Sequence, residues 1–336
     1  MENKLQVIGV TVTYGKRLYF LQQVIEALVE DPLFKLFVIV DNGSHNKEEL
    51  LKQKEKYREK IHIIHLDKNQ GSAVGFSQGI DYARKQEGTH ILLLDDDNVP
   101  ERGALSKFAQ TLSTFKHKDK VILCGNRINL TGNDAFFREE IAPSQLYTFF
   151  DFFSKKKREK IFRKLSLATH KHQGIERDIV ENESFAYGGT LLPIEAVRKG
   201  PLPDESLVLY GDDIEYSWNI KKLGYKSYVC KSPIIKDIDL TFGQETHIAG
   251  LFDAQTKPFK VFYRIRNMVY VSLKHSKQSA PGLFLSMALW FIALFLVGAW
   301  KKKLAPIFFK RVGLIGKAIY AGFNPKSAIP EEAVLP

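Results

Sequence analysis

An α/β fold, built on an open and mostly parallel sheet flanked by helices, is predicted by the first 125 residues. Residues 7–13 are apolar and β-branched, as in a strand. Residues 18–30 carry Leu, Val and Ile at helical spacing. Short apolar runs and helical patterns continue to alternate up to residue 125, which is typical of strands joined by helices.

The same two patterns define each element in turn. The predicted strands are residues 7–13, 36–40, 61–66, 91–94 and 121–124. The predicted helices are residues 18–30, 48–60, 72–86 and 104–115. Further on, a strand is predicted over 185–192, where Gly188 and Gly189 permit close approach of another backbone. Helices are predicted over 212–223, which begins at acidic side chains, and over 259–274.

Basic residues are concentrated near the C-terminus. The 336-residue chain carries 49 Lys and Arg against 38 Asp and Glu, a net charge of +11. Residues 254–330 contain thirteen of the basic residues and no acidic one, so residues 1–253 are neutral as a whole. A hydrophobic content of 44% excludes a disordered chain, and two distant cysteines indicate a reducing compartment. We therefore predict a body at 1–253 and a basic, membrane-associating part at 254–336.

The C-terminal part is apolar as well as basic, which favours a membrane surface over nucleic acid as its partner. Residues 283–300 are uncharged and would span ~27 Å as a helix, just under the ~30 Å hydrocarbon core. Residues 304–323 mix apolar and basic side chains, as interfacial helices do. We expect both helices to lie in the cytosolic leaflet, with a buried hairpin or an oligomer contact as the alternative. The N-terminus shows no export signal, so the body is expected in the cytosol.

Three predicted strand ends carry polar residues. In open parallel sheets, ligands bind at the carboxyl ends of the strands. The segments that follow these ends are residues 13–17, 41–44 and 95–98. We expect all three to converge on one edge of the sheet.

Asp95, Asp96 and Asp97 leave an apolar strand together, which is costly unless a cation lies among them. In an extended segment, Asp95 and Asp97 point to the same side and can share a divalent ion. Oxygen ligands of this kind suit Mg²⁺ or Mn²⁺. The alternative is an acidic cluster at the start of a helix.

Asp212 and Asp213 form a second acidic pair. Neighbouring carboxylates disfavour each other's ionised form, and the raised pKa that results suits a general base near neutral pH. Helix capping is again the alternative. A third segment, residues 68–79, is rich in small side chains that let backbone amides approach phosphate oxygens, although it matches neither a P-loop nor a dinucleotide fingerprint.

Six short segments, taken in this order, resemble the family 2 glycosyltransferases of the Rossmann-like GT-A fold. The resemblance runs from about Val7 to Asn267 and is greatest to bacterial rhamnosyl- and galactofuranosyl-transferases. The segments are 12–17 (VTYGKR), 40–44 (VDNGS), 69–75 (NQGSAVG), 94–97 (LDDD), 211–215 (GDDIE) and 263–267 (YRIRN).

The resemblance implies roles for the residues at matching positions. Asp95 and Asp97 would be the metal ligands of a DxD motif. Asp213, preceded by Asp212, would be the catalytic base of an acidic pair. Contacts with a nucleotide-sugar donor would come from Thr11, Tyr14, Arg17, Asp41, Asn69, Gly71, Gly75 and Asp96.

One metal ligand of the family is missing. Family members often place a metal-ligating His near positions 236–239, where this chain reads KDID. Asp239 or His247 is expected to take the place of that ligand. The Gln-x-x-Arg-Trp signature of processive synthases is also absent, which favours the addition of one or a few sugars.

The implied reaction is an inverting, Mn²⁺- or Mg²⁺-dependent sugar transfer. The donor would be of the UDP-galactofuranose or dTDP-rhamnose type, and the acceptor a lipid-linked glycan or oligosaccharide used in cell-surface or cell-wall polysaccharide. The enzyme would work at the cytoplasmic face of the cell membrane as a peripheral or monotopic protein, with no nucleic-acid partner and with its oligomeric state open. Two alternatives are a non-catalytic GT-A binding protein at the membrane and a nucleotidyltransferase, although the N-terminal region lacks an evident triphosphate-binding loop.

Overall fold

A nine-stranded mixed sheet forms the centre of the first of two structural units. The computed structural model describes residues 4–128, 149, 177–239, 248–302 and 305–336. The first unit comprises residues 4–128, 177–208 and 212–239. The second unit comprises residues 149, 209–211, 248–302 and 305–336.

The strands of the first unit follow the predicted alternation with helices. The strands are β1 (Val7–Thr13), β2 (Phe34–Asn42), β3 (Ile61–Leu66), β4 (His90–Leu93), β5 (Asn98–Pro100), β6 (Val121–Ile128), β7 (Ile179–Asn182), β8 (Thr190–Pro193) and β9 (Lys226–Asp237). The helices are α1 (Leu18–Leu28), α2 (Lys47–Tyr57), α3 (Ser72–Ala83), α4 (Ala104–Ser113), α5 (Ile194–Lys199) and α6 (Asp212–Lys221). The predicted α/β fold class is confirmed.

The sheet has a parallel half and a mixed half. Its order is β3-β2-β1-β4-β8-β6-β9-β5, and β7 also pairs with β9. Strands β1 to β4 are joined by parallel pairings. Strand β8 lies antiparallel between β4 and β6, and β5 and β7 lie antiparallel to β9. The sheet is therefore mixed, and the parallel half is the part that the N-terminal pattern predicts.

Both faces of the sheet are covered by helices, because the central strands are apolar on both sides. Every residue of β1 is buried. Val7 lies in one core with Leu21 of α1 and Phe108 of α4. Ile8, the next residue, lies in the other core with Ile80 of α3. Neighbouring side chains of a strand point to opposite faces of the sheet, so a strand covered on both faces contributes alternately to two cores.

The strand predicted over 185–192 is wrong in its first half. Only Thr190–Pro193 forms a strand. The chain turns at Gly189, which has a φ of +79° and whose N–H donates to the carbonyl of Leu93. At Gly188, an added Cβ would lie 2.3 Å from Asn98 Oδ1 and 2.5 Å from Arg127 Nη1. The two glycines therefore allow close approach, as predicted, but within a turn.

The second unit contains three long helices: α7 (Pro258–His275), α8 (Ala280–Lys302) and α9 (Pro306–Phe323). Helices α7 and α9 approach closely at Gly322, where an added Cβ would lie 2.6 Å from the Cβ of Val269. Arg311 of α9 is buried, and its Nη2 donates to the backbone carbonyls of Asp253 and Thr256. These contacts hold α9 against α7 and against the residues that follow the short turn Ile248–Phe252.

Helix α8 has a buried face and an exposed apolar face. Its buried residues include Leu283, Met287, Trp290 and Leu294. Five of its exposed apolar residues recur at helical spacing, and we call them the apolar stripe: Leu285, Leu289, Ile292, Leu296 and Trp300. The 21 residues Ala280–Trp300 are long and apolar enough to cross a membrane, and 28% of the most apolar part of this segment is buried.

Candidate active site

Six strands of the first unit end at one edge of the sheet. Strands β1 to β4 run in one direction, and β6 and β9 share it because each is separated from β4 by the antiparallel strand β8. The segments 13–17, 41–44 and 95–98 therefore leave the same edge, as the sequence predicts. Strands β6 and β9 bring two further charged residues to this edge, Arg127 and Asp237.

The three consecutive acids form a turn rather than the extended segment expected from their sequence. The N–H of Asn98 donates to the carbonyl of Asp95 at 3.1 Å and closes the turn. Asp96 is buried and points toward β1, where Thr13 Oγ1 donates to it at 2.8 Å. Asp95 and Asp97 still lie close enough for the charge of Asp95 to raise the pKa of Asp97. Their proximity is as predicted, but the cause is the turn.

Arg17 connects three carboxylates at this edge. Its Nε donates to Asp96 Oδ1 at 2.8 Å, and its Nη1 donates to Asp239 Oδ2 at 2.6 Å. Its Nη2 lies 3.4 Å from Asp97 Oδ2. The guanidinium also lies 5.5 Å from the centre of the Tyr14 ring, which is a cation–π distance. Arg17 therefore holds the predicted residues Tyr14, Asp96 and Asp97 together with Asp239.

Arg127 performs a similar connection on the other side of the turn. Its Nε and Nη2 each lie 3.0 Å from Asp237 Oδ1, and its Nη2 lies 3.7 Å from Asp95 Oδ2. Asn98 Nδ2 donates to the same oxygen of Asp237 at 2.7 Å. The neighbouring charges of Asp95 and Asp237 raise the pKa of Arg127, against the opposing effect of burial. The guanidinium is therefore fixed in its charged form between two acids.

The second acidic pair lies at the start of α6 in the same unit. Asp212 is buried and accepts a hydrogen bond from Ser72 Oγ at 3.1 Å. Asp213 is partly exposed, and its Oδ1 accepts the N–H of Ile214 at 2.8 Å. Burial, together with the charge of Asp213, raises the pKa of Asp212. Both acids lie in the first turn of α6, and burial raises the pKa of each of them.

Electrostatic interaction indicates that the two acidic groups lie near one another. Burial raises the pKa of Asp95, and the charge of Asp213 raises it further. The charge of Arg127 in turn lowers the pKa of Asp213, against the larger effect of burial. The predicted metal ligand Asp95 and the predicted base Asp213 therefore share one region of the sheet edge.

The small-residue segment is fixed against the same edge. Asn69 Oδ1 accepts the N–H of Gly71 at 3.0 Å, and Asn42 Nδ2 donates to the carbonyl of Gly71 at 2.9 Å. Gly71 has a φ of +89°, and an added Cβ would lie 2.1 Å from the carbonyl oxygen of Val208. Close packing explains the glycine at position 75, since an added Cβ would lie 2.5 Å from the side chain of Val12.

The remaining predicted donor contacts differ in accessibility. Tyr14 is 45% exposed at the end of β1, whereas Thr11 is fully buried within that strand. Asp41 is buried at the end of β2, where Oδ1 accepts the N–H of Ser44 and Oδ2 lies 2.9 Å from Nδ1 of His65. Thr11 is thus behind the surface on which Tyr14 lies.

Sequence reasoning missed Arg127 and Asp237 as members of this edge. The strand predicted over 121–124 is longer than its apolar run, and its last residues Arg127 and Ile128 continue the pairing with β9. Polar residues at the end of each parallel strand are the signal that identifies them. Asp237 lies two residues before Asp239, so both belong to the segment in which a third metal ligand was expected.

Acidic groups outnumber basic groups at the described part of this edge. The carboxylates are Asp41, Asp95, Asp96, Asp97, Asp212, Asp213, Asp237 and Asp239. The guanidinium groups that contact them are those of Arg17 and Arg127. This excess of negative charge favours the uptake of a cation or a proton.

A divalent cation fits the oxygen donors of the turn. Within the described ranges, no three His, Cys, Asp or Glu side chains are already arranged as a metal cluster. At this edge, Arg17 and Arg127 lie among the carboxylates. Asp95, whose side chain is 41% exposed, and Asp97 offer hard oxygen ligands of the kind that Mn²⁺ and Mg²⁺ prefer. Of the two residues expected as a third ligand, Asp239 pairs with Arg17, which also pairs with Asp97. His247 lies outside the described residues.

The acids predict a specific dependence of stability on pH. Burial raises the pKa of Asp96 to about 7, although Arg17 and Thr13 favour its ionised form. A carboxyl with a raised pKa takes up a proton on folding, so its contribution to stability falls as pH rises from about 4 to about 7. Burial also lowers the pKa of His90 to about 4, which has the opposite effect up to pH of about 6.5. The two effects therefore oppose each other below pH of about 6.5, and the acids dominate above it.

We therefore expect the melting temperature of the metal-free protein to fall between pH of about 6.5 and 8, because Asp96 and Asp212, whose pKa burial raises to about 8, lose their protons over this interval. Mn²⁺ should raise the melting temperature more at the upper pH, because ionised carboxylates bind it better. Differential scanning fluorimetry with and without Mn²⁺ measures both effects, and Asp96→Asn should reduce the slope. A melting temperature that rises over this interval would contradict the raised pKa.

The comparison with known protein families identifies the chain. Residues 10–183, just over half of the chain, match the model described as "Glycosyl transferase family 2". The chain belongs to glycosyltransferase family 2. The matched region of this family 2 enzyme extends from β1 to β7 and includes the turn at Asp95–Asn98.

The family 2 glycosyltransferase is similar in sequence to two bacterial proteins. It is 24% identical over 261 residues to the dTDP-rhamnosyl transferase RfbF of Shigella flexneri, a match that covers 78% of each chain. It is 27% identical over 99 residues to the putative teichuronic acid biosynthesis glycosyltransferase TuaG of Bacillus subtilis. The second match covers 29% of this chain and 38% of TuaG.

A solved structure shows the same fold. The crystal structure of GalNAc-T7 with UDP, GalNAc and Mn²⁺ superposes with a TM-score of 0.53 at 16% identity. The superposition covers 70% of this chain and 43% of that one, so this chain spans less than half of the neighbour. The glycosyltransferase therefore has the GT-A fold that its sequence segments predict.

Proposed function

We propose that this glycosyltransferase transfers one sugar at a time from a nucleotide-sugar to an acceptor hydroxyl, with inversion at the anomeric carbon. The observation that carries the proposal is that Asp213 lies near Asp95, in the same turn as Asp97, at one edge of the sheet. A metal-binding acidic pair and a separate, partly exposed acid are the two groups that such a displacement requires.

The nucleotide-sugar would lie along this edge with its nucleoside toward β1 and β2. Tyr14 offers an exposed ring there, and Arg17 and Asp41 are fixed by hydrogen bonds. The Asn69–Gly71 turn would lie beside the donor, since its backbone is held at the N-terminus of α3. A buried Asp96 would act on the donor through Arg17, which it orients.

The proposed chemistry is a single displacement. Asp213 accepts the proton of the acceptor hydroxyl as that oxygen bonds to the anomeric carbon, and the electron pair of the breaking C–O bond goes to the diphosphate. When bound at Asp95 and Asp97, a divalent cation supplies Lewis-acid stabilisation of the charge on the departing diphosphate. Burial and the charge of Asp213 raise the pKa of the neighbouring Asp212, so the pair takes up a proton more readily than an isolated carboxylate does.

RfbF, the relative that matches over 261 residues, is named as a dTDP-rhamnosyl transferase, so dTDP-rhamnose is the first donor to test. UDP-galactofuranose is the second. A panel of dTDP-, UDP- and GDP-sugars in Mn²⁺, with release of the nucleoside diphosphate as the readout, tests the proposal. We expect release from one dTDP- or UDP-sugar and its loss in EDTA. Absence of release and of binding across the panel would support a non-catalytic scaffold instead.

We further propose that the acceptor is carried at a membrane, on a lipid-linked glycan, and that the protein binds the cytoplasmic leaflet. The support is the apolar stripe of α8, which is exposed along one face while the opposite face is buried in the second unit. A helix held in this way suits a position in the interface of the bilayer, where basic residues contact anionic headgroups.

Glutamates in the apolar stripe are expected to reduce membrane binding. The double substitution Leu285→Glu and Leu296→Glu removes two side chains whose burial in lipid contributes about 1.5–3 kcal/mol each, so binding to anionic vesicles should fall by at least about 10-fold. Flotation of the full chain with such vesicles measures this. Leu51→Glu is the matched control, because Leu51 is also an exposed leucine but belongs to α2. Equal flotation of the stripe variant and the control would contradict membrane binding through α8.

A further inference from the structure

Arg127 is a charged residue of the sheet edge that the proposed chemistry leaves without a role. It lies near the end of β6, and its side chain is 35% exposed. Asp237 fixes the guanidinium through contacts of 3.0 Å with both Nε and Nη2. Gly188 makes room for the group, because an added Cβ at that position would lie 2.5 Å from Nη1. The chain therefore holds a partly exposed cation in a fixed orientation.

The position of Arg127 along the edge differs from that of Arg17. Arg17 contacts Asp96 and lies near Tyr14, at the end where the nucleoside is proposed to bind. The Nη2 of Arg127 lies 3.7 Å from Asp95, on the side of the edge that faces Asp213. If Asp213 receives the proton of the acceptor, the anomeric carbon lies near it, and the phosphate bonded to that carbon lies between Asp213 and Asp95.

A diphosphate entering this edge meets an excess of carboxylates. Its own negative charges would be repelled unless cations contact it directly. Arg127 presents a planar group with several N–H donors, which matches the geometry of phosphate oxygens better than a lysine does.

We propose that Arg127 binds the sugar-linked phosphate of the donor and stabilises the negative charge that this phosphate gains when the sugar leaves. This inference rests on the proposed function, which it deepens by naming the group that receives the leaving phosphate. Asp237 is the positioning residue of Arg127, since it holds the guanidinium through two donors.

Nucleoside diphosphates and monophosphates distinguish this role from a structural one. The experiment measures binding of dTDP, dTMP, UDP and UMP to the full chain in Mn²⁺ by isothermal titration calorimetry. A contact with the terminal phosphate is worth about a 10- to 100-fold change in affinity for the diphosphate. We expect Arg127→Gln to lose this factor for dTDP or UDP and to leave the matching monophosphate within about 2-fold.

Two further variants complete the design. Arg127→Lys keeps the charge without the planar group, so an intermediate loss is expected, and it serves if Arg127→Gln does not fold. Lys236→Gln is the matched control, because it removes one positive charge from an exposed position of β9 next to Asp237. Its affinities should equal those of the unmodified protein.

Each outcome has one interpretation. Equal losses for diphosphate and monophosphate in the Arg127 variants, or no loss, would overturn the role of Arg127 and leave the proposed function standing. Failure of the unmodified protein to bind any of the four nucleotides would overturn the proposed function and this inference together.

Discussion

Asp213→Asn is expected to abolish sugar transfer while leaving donor binding almost unchanged. Asparagine has the same shape as aspartate, but its amide does not accept the proton of the acceptor hydroxyl. Loss of a general base commonly costs 10²–10⁴-fold in rate. The N–H of Ile214, which donates to Asp213 Oδ1 at 2.8 Å, is able to donate to the amide oxygen as well, so the start of α6 should be retained.

The measurement separates chemistry from binding. The turnover number comes from release of nucleoside diphosphate, and the dissociation constant of the donor comes from calorimetry in Mn²⁺. Asp81→Asn is the matched control, because Asp81 lies on α3 and pairs with Arg84 and Lys85, away from the sheet edge. Turnover of the Asp213 variant within about 10-fold of the unmodified enzyme would show that another group accepts the proton.

Asp97→Asn is expected to weaken Mn²⁺ binding and to lower turnover by about 10²–10³-fold. The substitution removes one of the two oxygen ligands proposed for the cation and replaces a charged donor with a neutral one. Burial and the charge of Asp95 raise the pKa of Asp97 to about 6, so the cation must compete with protons below neutral pH. Turnover of the unmodified enzyme should therefore fall as pH drops from about 7 to about 5.

Electron paramagnetic resonance of free Mn²⁺ during a titration gives the affinity of each protein directly. High Mn²⁺ concentrations should restore part of the turnover of Asp97→Asn, whereas they should not restore that of Asp213→Asn. The same Asp81→Asn control should bind Mn²⁺ as the unmodified protein does. An Asp97 variant that keeps full Mn²⁺ affinity would place the metal elsewhere.

The parallel half of the sheet was predictable because its signals are local. The β-branched run at Val7–Thr13 forms β1 with the predicted bounds, and so does β3 at Ile61–Leu66. The convergence of the three polar strand ends then follows from parallel pairing alone. The segments around Asp95 and Asp213 were found in the same way, because acids next to apolar runs are visible without a structure.

The mixed half was not predictable in the same way. The three-residue strand Asn98–Pro100 is too short for a period of two to appear, and its pairing with β9 joins residues 139 apart, as in the bond from Asn98 to Asp237. Arg127 and Asp237 are likewise 110 residues apart in sequence and meet only because β6 pairs with β9. The turn at Asp95–Asn98 depends on a backbone hydrogen bond that side-chain patterns do not encode.

The most direct test of the proposed site is an anomalous diffraction map from a crystal of this protein soaked with Mn²⁺ and either dTDP or UDP. We expect one Mn²⁺ peak within coordination distance of the Asp95 and Asp97 carboxylates and of the diphosphate, with Asp213 facing the terminal phosphate. A peak bound to other residues, or a diphosphate bound away from this edge of the sheet, would contradict the proposed site.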